Sequence, residues 1–159
     1  MSATIVLAWL ALAATPSPAP DALQPFEGAW TCEGHFEPSM KPLASTMVFA
    51  RDPDTGALVK RHRDLPPGGY KANETWAAAA GGYRASIADG FSGLRWFVSP
   101  GWEQDRWTWT RVDEGAPAEA FVYQRAGPGR MTVEWWISRK GAPKTLGDTL
   151  ACEKSASWR

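Results

Sequence analysis

The sequence is poor in the residues that most often carry chemistry in proteins. It has only two histidines, His35 and His62, and only two cysteines, Cys32 and Cys152. A transition-metal site needs several such ligands at suitable spacing, and the sequence shows no such cluster. A G-x-S-x-G nucleophile motif and a glycine-rich phosphate loop are also absent. We therefore predict no metal site and no cofactor, and no catalytic residue is identified by motif.

An excess of either charge is also missing. Lys and Arg total 17, Asp and Glu total 17, and the formal net charge is zero. Proteins that bind nucleic acid gain most of their affinity from a strongly basic surface. Anionic membranes likewise attract basic segments. The balance therefore argues against nucleic acid and against a charged membrane surface as partners.

The only long apolar run lies at residues 5–14 (IVLAWLALAA). Its length is that of the apolar core of a signal peptide, and small residues suited to cleavage follow. It is shorter than the ~20 apolar residues that span a bilayer, although a retained membrane anchor is the alternative. We predict a signal peptide at 1–14, a Pro/Ala-rich spacer at 15–25 and one domain at 26–159. The mature protein would then be periplasmic or secreted, with no membrane span.

The predicted export bears on the oxidation state of the two cysteines. In an oxidising compartment, Cys32 and Cys152 are expected to form a disulfide bond. Two separate buried thiols are the alternative. A reactive thiol is not expected, because both cysteines lie in alternating strand patterns rather than in basic, exposed surroundings.

From residue 26 onward, short apolar or alternating segments are separated by Gly, Pro and Asp, and no helical stripe extends over three turns. This rhythm predicts an all-β fold, an antiparallel up-and-down barrel of about ten strands with the first and last strands adjacent. The disulfide would then join the two strands across the closing seam. The predicted strands are 26–36, 45–51, 58–63, 72–78, 83–88, 94–99, 106–112, 119–125, 131–139 and 145–153.

The first strand opens with Gly28-Ala-Trp30-Thr-Cys32-Glu-Gly34. This segment resembles the G-x-W opening of calycin-type barrels, which include lipocalins, fatty-acid-binding proteins and nitrobindins. With the segment 99–102 (SPGW), the pair Trp107 and Trp109, and the late Cys152, the chain is also similar to exported bacterial proteins of unknown function. The resemblance implies a barrel with an internal cavity. Nitrobindins hold haem through a histidine near the C-terminus, and no histidine follows His62, so we expect no haem.

Tryptophans are the most conspicuous residues that remain. Trp76, Trp96 and Trp135 are expected to face the interior, and Arg111 shares a strand face with Trp107 and Trp109. Aromatic walls suit a planar or acyl ligand, so these six residues are the candidate ligand-binding set. The alternative is that the tryptophans fill the barrel, as side chains do in other small barrels.

Two further groups of residues are candidates for recognition. Fatty-acid-binding barrels hold a carboxylate with internal arginines and a tyrosine; most of the corresponding arginines here are expected to be solvated. On the outside, Trp136 with Phe121 and Tyr123 would form a patch for a protein partner. The candidates for a carboxylate site are Arg61, Arg95, Arg106, Arg111 and Tyr123.

Three functions are compatible with these features. The first is non-catalytic binding of a small hydrophobic or amphipathic molecule inside the barrel. The second is an envelope or partner-binding module with a filled barrel. The third is an acid/base enzyme, which requires His35, His62, Glu103 or Asp105 to converge on a pocket.

Overall fold

The structure, a computed structural model, describes residues 21–156. It consists of antiparallel strands and one short 3-10 helix, Gln24–Phe26. The strands are β1 (Gly28–Phe36), β2 (Lys41–Arg51), β3 (Leu58–Asp64), β4 (Lys71–Ala79), β5 (Gly82–Asp89), β6 (Gly93–Ser99), β7 (Trp102–Glu103), β8 (Arg106–Arg111), β9 (Glu119–Arg125), β10 (Arg130–Ile137) and β11 (Thr145–Lys154).

The strands form a closed antiparallel barrel of ten strands. Their hydrogen-bonded order is β6-β5-β4-β3-β2-β1-β11-β10-β9-β8, and β6 pairs with β8 to complete the ring. The two-residue β7 continues the course of β6 after a break and pairs with the start of β8. The predicted fold is thus confirmed, including the adjacency of the first and last strands. Each predicted strand has a counterpart, and β7 is the one addition among the described residues.

The predicted disulfide is present at the seam between β1 and β11. Cys32 and Cys152 lie directly opposite each other in the strand register and are bonded. Two residues further along β1, Gly34 lies opposite Leu150. A Cβ at Gly34 would lie 1.7 Å from the carbonyl oxygen of Thr149. Only glycine therefore allows the two strands to approach this closely.

The chain enters the barrel from the end at which β1 begins. Leu23 is 3% exposed and Phe26 is 1% exposed, so both belong to the core. Residues 21–25, the last part of the predicted spacer at 15–25, therefore pack against the barrel. Phe26 itself lies in the 3-10 helix rather than in the first strand. The predicted signal peptide lies outside the described residues.

Aromatic side chains fill this end of the barrel. The ring of Phe26 lies 5.1 Å from that of Trp76 and 5.5 Å from those of Trp107 and Tyr123, measured between centroids. We call the cluster the aromatic plug and define it as Phe26, Phe49, Trp76, Trp107, Trp109 and Tyr123, all buried. The plug fills the interior of the barrel at this end. Within residues 21–156, no helix has the length and apolar character needed to cross a membrane.

Candidate functional site

The half of the barrel beyond the aromatic plug contains a cavity of about 490 Å³. Its mouth lies among the loops that join β3 to β4, β5 to β6 and β8 to β9, which contribute Gly69, Phe91, Ser92 and Pro117. The volume is within the range of small-molecule pockets, roughly 300–1,000 Å³. The cavity is therefore large enough for a small organic ligand.

One part of the cavity wall is apolar. Side chains that alternate along β1, β2, β9, β10 and β11 supply it, because every second residue of a barrel strand faces inward. Such a surface favours an apolar ligand body. The apolar lining residues are Phe36, Leu43, Met47, Phe121, Val133, Trp135, Ile137 and Leu150.

Lys60 forms the floor of the cavity, where it meets the aromatic plug. Its Nζ donates hydrogen bonds to Glu74 Oε1 at 2.7 Å and to the Tyr123 hydroxyl at 2.8 Å. Trp76 Nε1 donates to the other oxygen of Glu74 at 2.8 Å. Lys60 is only 2% exposed, so its charge is stable there only because these partners compensate it. Burial raises the pKa of Tyr123 well above its usual value, so the phenol stays protonated.

A second ionic network crosses the weakly paired junction of β6 and β8. Arg95 contacts the carboxylates of Glu119 and Asp89 and donates to the Tyr70 hydroxyl at 3.0 Å. Arg111 donates to Glu119 Oε2 at 3.1 Å. Only two residue pairs join β6 to β8 in the sheet. The network therefore links β5, β6, β8 and β9 by side chains where backbone pairing is short.

Three titratable side chains that line the cavity, His62, Asp64 and Asp148, have few hydrogen-bond or ion-pair partners. His62 Nε2 lies 3.5 Å from Asp64 Oδ1 but makes no hydrogen bond. Burial lowers the pKa of His62, against the opposing effect of Asp64, so the imidazole is neutral at neutral pH. Asp148 faces the same cavity from β11. Burial raises its pKa to about 7; Asp64 raises it further, and Lys60 opposes the shift.

The position of Asp148 depends on a bulge in β11. Trp135 pairs with Asp148 but Trp136 pairs with Leu146, so Gly147 is an extra residue between them. A Cβ at Gly147 would lie 2.3 Å from the Trp135 ring. Glycine at this position therefore lets the indole lie flat against β11, where its Nε1 donates to Glu119 Oε1 at 2.8 Å.

The predicted ligand-binding residues divide into three groups. Arg111 and Trp135 line the cavity. Trp76, Trp107 and Trp109 are buried in the aromatic plug, which matches the alternative that tryptophans fill the barrel. Trp96 is 47% exposed, so its predicted inward orientation is wrong. In β6, Arg95 and Phe97 point inward instead. The guanidinium of Arg95 is stabilised there by two carboxylates, those of Asp89 and Glu119.

The predicted outer patch is also not formed. Tyr123 is buried in the plug, and the ring of Phe121 packs against Phe97 inside the barrel at 5.5 Å. Only Trp136 faces outward, where its Nε1 donates to Glu134 Oε2 at 2.8 Å. These three residues therefore do not share one outer surface, because Phe121 and Tyr123 alternate with the outward residues of β9.

Of the proposed acid/base residues, only His62 reaches the cavity. His35 pairs with Glu37 on the outer face, and Glu103 and Asp105 are exposed at the plugged end. Arg61 and Arg106 are exposed as well, whereas Arg95 lines the cavity. Sequence reasoning missed the lining residues Lys60, Asp64, Tyr70, Asp89, Glu119 and Asp148 and the partner Glu74.

The haem that nitrobindins carry does not fit this interior. The inward residues of β11 that line the cavity are Asp148 and Leu150, so the C-terminal strand offers iron no imidazole. Among the described side chains, no group of three His, Cys, Asp or Glu residues is placed to hold a metal ion.

The ionisation of Asp148 predicts a pH-dependent stability. Its pKa of about 7 lies above the ordinary 3.8, so the folded protein retains a proton that the unfolded chain releases. Stability is therefore highest below the ordinary value and falls as pH rises through about 7, by up to about 4 kcal/mol. Asp148→Asn removes the penalty, and we expect the variant to be more stable than wild type by about 2–4 kcal/mol at pH 8.

Denaturant unfolding at pH 8 and pH 4.5 measures this effect. The stabilisation by Asp148→Asn should shrink towards zero at pH 4.5, where the folded wild type already holds a neutral carboxyl. Glu153→Gln, an exposed residue of the same strand, is the matched control and should change little at either pH. Equal effects of Asp148→Asn at both pH values would contradict the assignment.

The fold and cavity define the chain as a closed ten-stranded β-barrel, consistent with the calycin-like barrels that its opening resembles. Among solved structures it is similar to Rv2717c from M. tuberculosis, with a TM-score of 0.55, 17% sequence identity, and coverage of 86% of this chain and 98% of that one. At that identity the likeness shows a shared fold alone. No family model matches the chain, and no match to a curated protein was found.

Proposed function

We propose that this protein is an exported, non-catalytic carrier or receptor that binds a small amphipathic molecule inside its barrel. The observation that carries the proposal is the division of the interior. One end is filled by the aromatic plug, and the other holds a cavity of about 490 Å³ with a mouth among three loops. A barrel that served only as a structural module would have no need to leave that half open, since small barrels readily fill with side chains.

The lining supports an amphipathic rather than a purely apolar ligand. Apolar residues such as Val133 and Leu150 share the cavity with Arg95, Glu119 and Asp148. Pockets of this kind take up an apolar body and orient it by a few polar groups. Of the four residues proposed for acid/base catalysis, only His62 reaches the cavity.

Export is supported by two independent features. The disulfide between Cys32 and Cys152 is typical of proteins that fold in oxidising compartments. The apolar run at residues 5–14 has the length of a signal peptide core. A periplasmic or secreted location would bring the carrier into contact with small molecules outside the cytoplasm.

Filling the cavity by mutation is expected to abolish binding. Val133→Phe adds a ring at a buried position of the wall, and we expect the affinity for 1-aminoanthracene, a small neutral fluorescent probe, to fall at least about tenfold. Fluorescence titration measures it. Thr132→Phe, the preceding residue on the outer face, is the matched control and should bind as wild type does. If wild type fails to bind the probe, or Val133→Phe binds it equally well, the cavity is not the binding site.

A further inference from the structure

We infer that the ligand is a protonated amine on an apolar body, with its ammonium group at Asp148 between Phe36 and Trp135. This inference rests on the proposed function and names the class of ligand. The three residues lie side by side on β1, β11 and β10. Phe36 and Trp135 are each the direct cross-strand partner of Asp148, so all three side chains share one face. All three line the cavity.

The cations of the cavity wall are already neutralised by the protein. Lys60 is held by Glu74, and Arg95 by Asp89 and Glu119. Arg111 contacts Glu119 and also Asp113, the latter at 2.7 Å. The Nε–H of Arg95 has no hydrogen-bond partner, but it is buried, and two carboxylates already compensate the charge of the guanidinium. Among the lining residues that the structure describes, no cation is left free for a ligand carboxylate.

The carboxylates, by contrast, are in excess. Among the described residues, the only basic group in contact with the Asp64 carboxylate is the imidazole of His62, which is neutral. Asp64 Oδ2 accepts a hydrogen bond from the backbone N–H of Tyr70. Among the described residues, none donates a hydrogen bond to the side-chain carboxylate of Asp148 or forms an ion pair with it. A largely buried carboxylate without a donor is unfavourable, and a donor supplied by a ligand would relieve that cost. The uncompensated negative charge in the cavity therefore favours a cationic ligand.

The aromatic neighbours point to the same ligand class independently of charge balance. Phe36 and Trp135 flank Asp148, and a cation near the face of an aromatic ring is attracted by the ring's quadrupole. The apolar body would extend from this position along Leu150 and Val133 towards Phe121. A carboxylate between two aromatic rings, with an apolar wall beyond, is complementary to an amine that carries an apolar group.

Three probes with one naphthalene body test the inference by isothermal titration calorimetry: 1-naphthylmethylamine, 1-naphthylmethanol and 1-naphthoate. At pH 8 we expect the amine to bind at least about tenfold more tightly than the alcohol, and the carboxylate most weakly. Asp148→Asn should remove the preference for the amine and leave the affinity for the alcohol unchanged. Glu153→Gln, the control on the outer face, should retain the preference.

The pH dependence gives a second readout. Binding of the amine should weaken from pH 8 to pH 6, where Asp148 takes up a proton, whereas binding of the alcohol should not change. His62 and Asp64 on β3 and Lys60 below them face the same space. Protonation of His62 would change the affinity in the same direction, since it makes the site less negative. Asp148→Asn isolates the contribution of Asp148.

The outcomes separate this inference from the proposed function. Equal binding of amine and alcohol, tightest binding of naphthoate, or an amine preference that survives in Asp148→Asn would overturn the inference while the carrier function stands. Binding of 1-aminoanthracene but of none of the three naphthalene probes would overturn it as well. Failure of wild type to bind 1-aminoanthracene and all three naphthalene probes would overturn the proposed function, and the inference with it.

Discussion

Replacing both cysteines in Cys32→Ala/Cys152→Ala is expected to lower the free energy of unfolding by about 4–5 kcal/mol, the loss that chain-entropy estimates give for a loop of this length. The two cysteines are 120 residues apart in sequence, so the bond restricts nearly the whole described chain in its unfolded state. Alanine avoids placing new hydroxyl groups at positions that are each 2% exposed.

Urea unfolding of the oxidised wild type, the reduced wild type and the double variant measures this loss. The reduced wild type should resemble the double variant, because the cross-link rather than the sulfur atoms provides most of the stabilisation. A difference below about 1 kcal/mol between oxidised wild type and the double variant would contradict the prediction, since typical losses are 2–5 kcal/mol.

The seam has a consequence for the cavity as well as for stability. The ladder that pairs Cys32 with Cys152 also pairs Phe36 with Asp148, four residues along. Between them Gly34 lets the strands approach at Thr149. The disulfide and the glycine therefore hold the two strands that place Asp148 beside Phe36. This gives a physical reason for the spacing of Cys32 and Gly34 in the opening segment.

The spacing of turn residues and the alternation of apolar residues were sufficient to predict the fold. Turn residues such as those in the segment 52–56 (DPDTG) mark the strand ends, and alternating apolar residues mark the inward face. The disulfide was predicted from the expected oxidising compartment, and the strand order supported it because a closed up-and-down barrel brings its first and last strands together. The short β7 was missed because two residues are too few to show a period.

The inward face of β6 could not be predicted from hydrophobicity. Leu94, Trp96 and Val98 form the more apolar face, yet the structure turns Arg95 and Phe97 inside and leaves Trp96 half exposed. The choice depends on Asp89 and Glu119, which come from other strands and compensate the guanidinium. A single strand carries no information about such partners.

Part of the cavity chemistry was nevertheless accessible in the sequence. Glu74 lies two residues from Trp76, and Asp148 lies two and four residues from Leu150 and Cys152, so strand alternation places both carboxylates on inward faces. The β3 segment (LVKRHRD) was not interpretable, because both of its faces carry charges. The unfilled volume cannot be predicted by alternation, since it depends on the sizes of side chains from nine strands.

Lys60→Met is expected to destabilise the protein by about 3–5 kcal/mol, because it leaves the buried carboxylate of Glu74 without its counter-charge. Glu74 is 4% exposed and would retain only the indole N–H of Trp76 among its hydrogen-bond donors in the structure. The Tyr123 hydroxyl would lose its donor from Lys60 at the same time. Denaturant unfolding at pH 7 measures the effect. Lys71→Met, an exposed lysine at the start of β4, is the control and should change stability by less than about 0.5 kcal/mol.

The double variant Lys60→Met/Glu74→Gln tests why Lys60→Met loses stability. If the cost arises from the unpaired carboxylate, removing its charge should recover much of the stability, and the two substitutions will be strongly non-additive. Additive losses would show instead that Lys60 stabilises the barrel by the cation–π contacts of its Nζ with the rings of Phe49 and Tyr123. The distinction bears on function, because a compensated Lys60 is unavailable to a ligand anion. Recovery in the double variant would therefore support a cavity whose unmatched charge is negative.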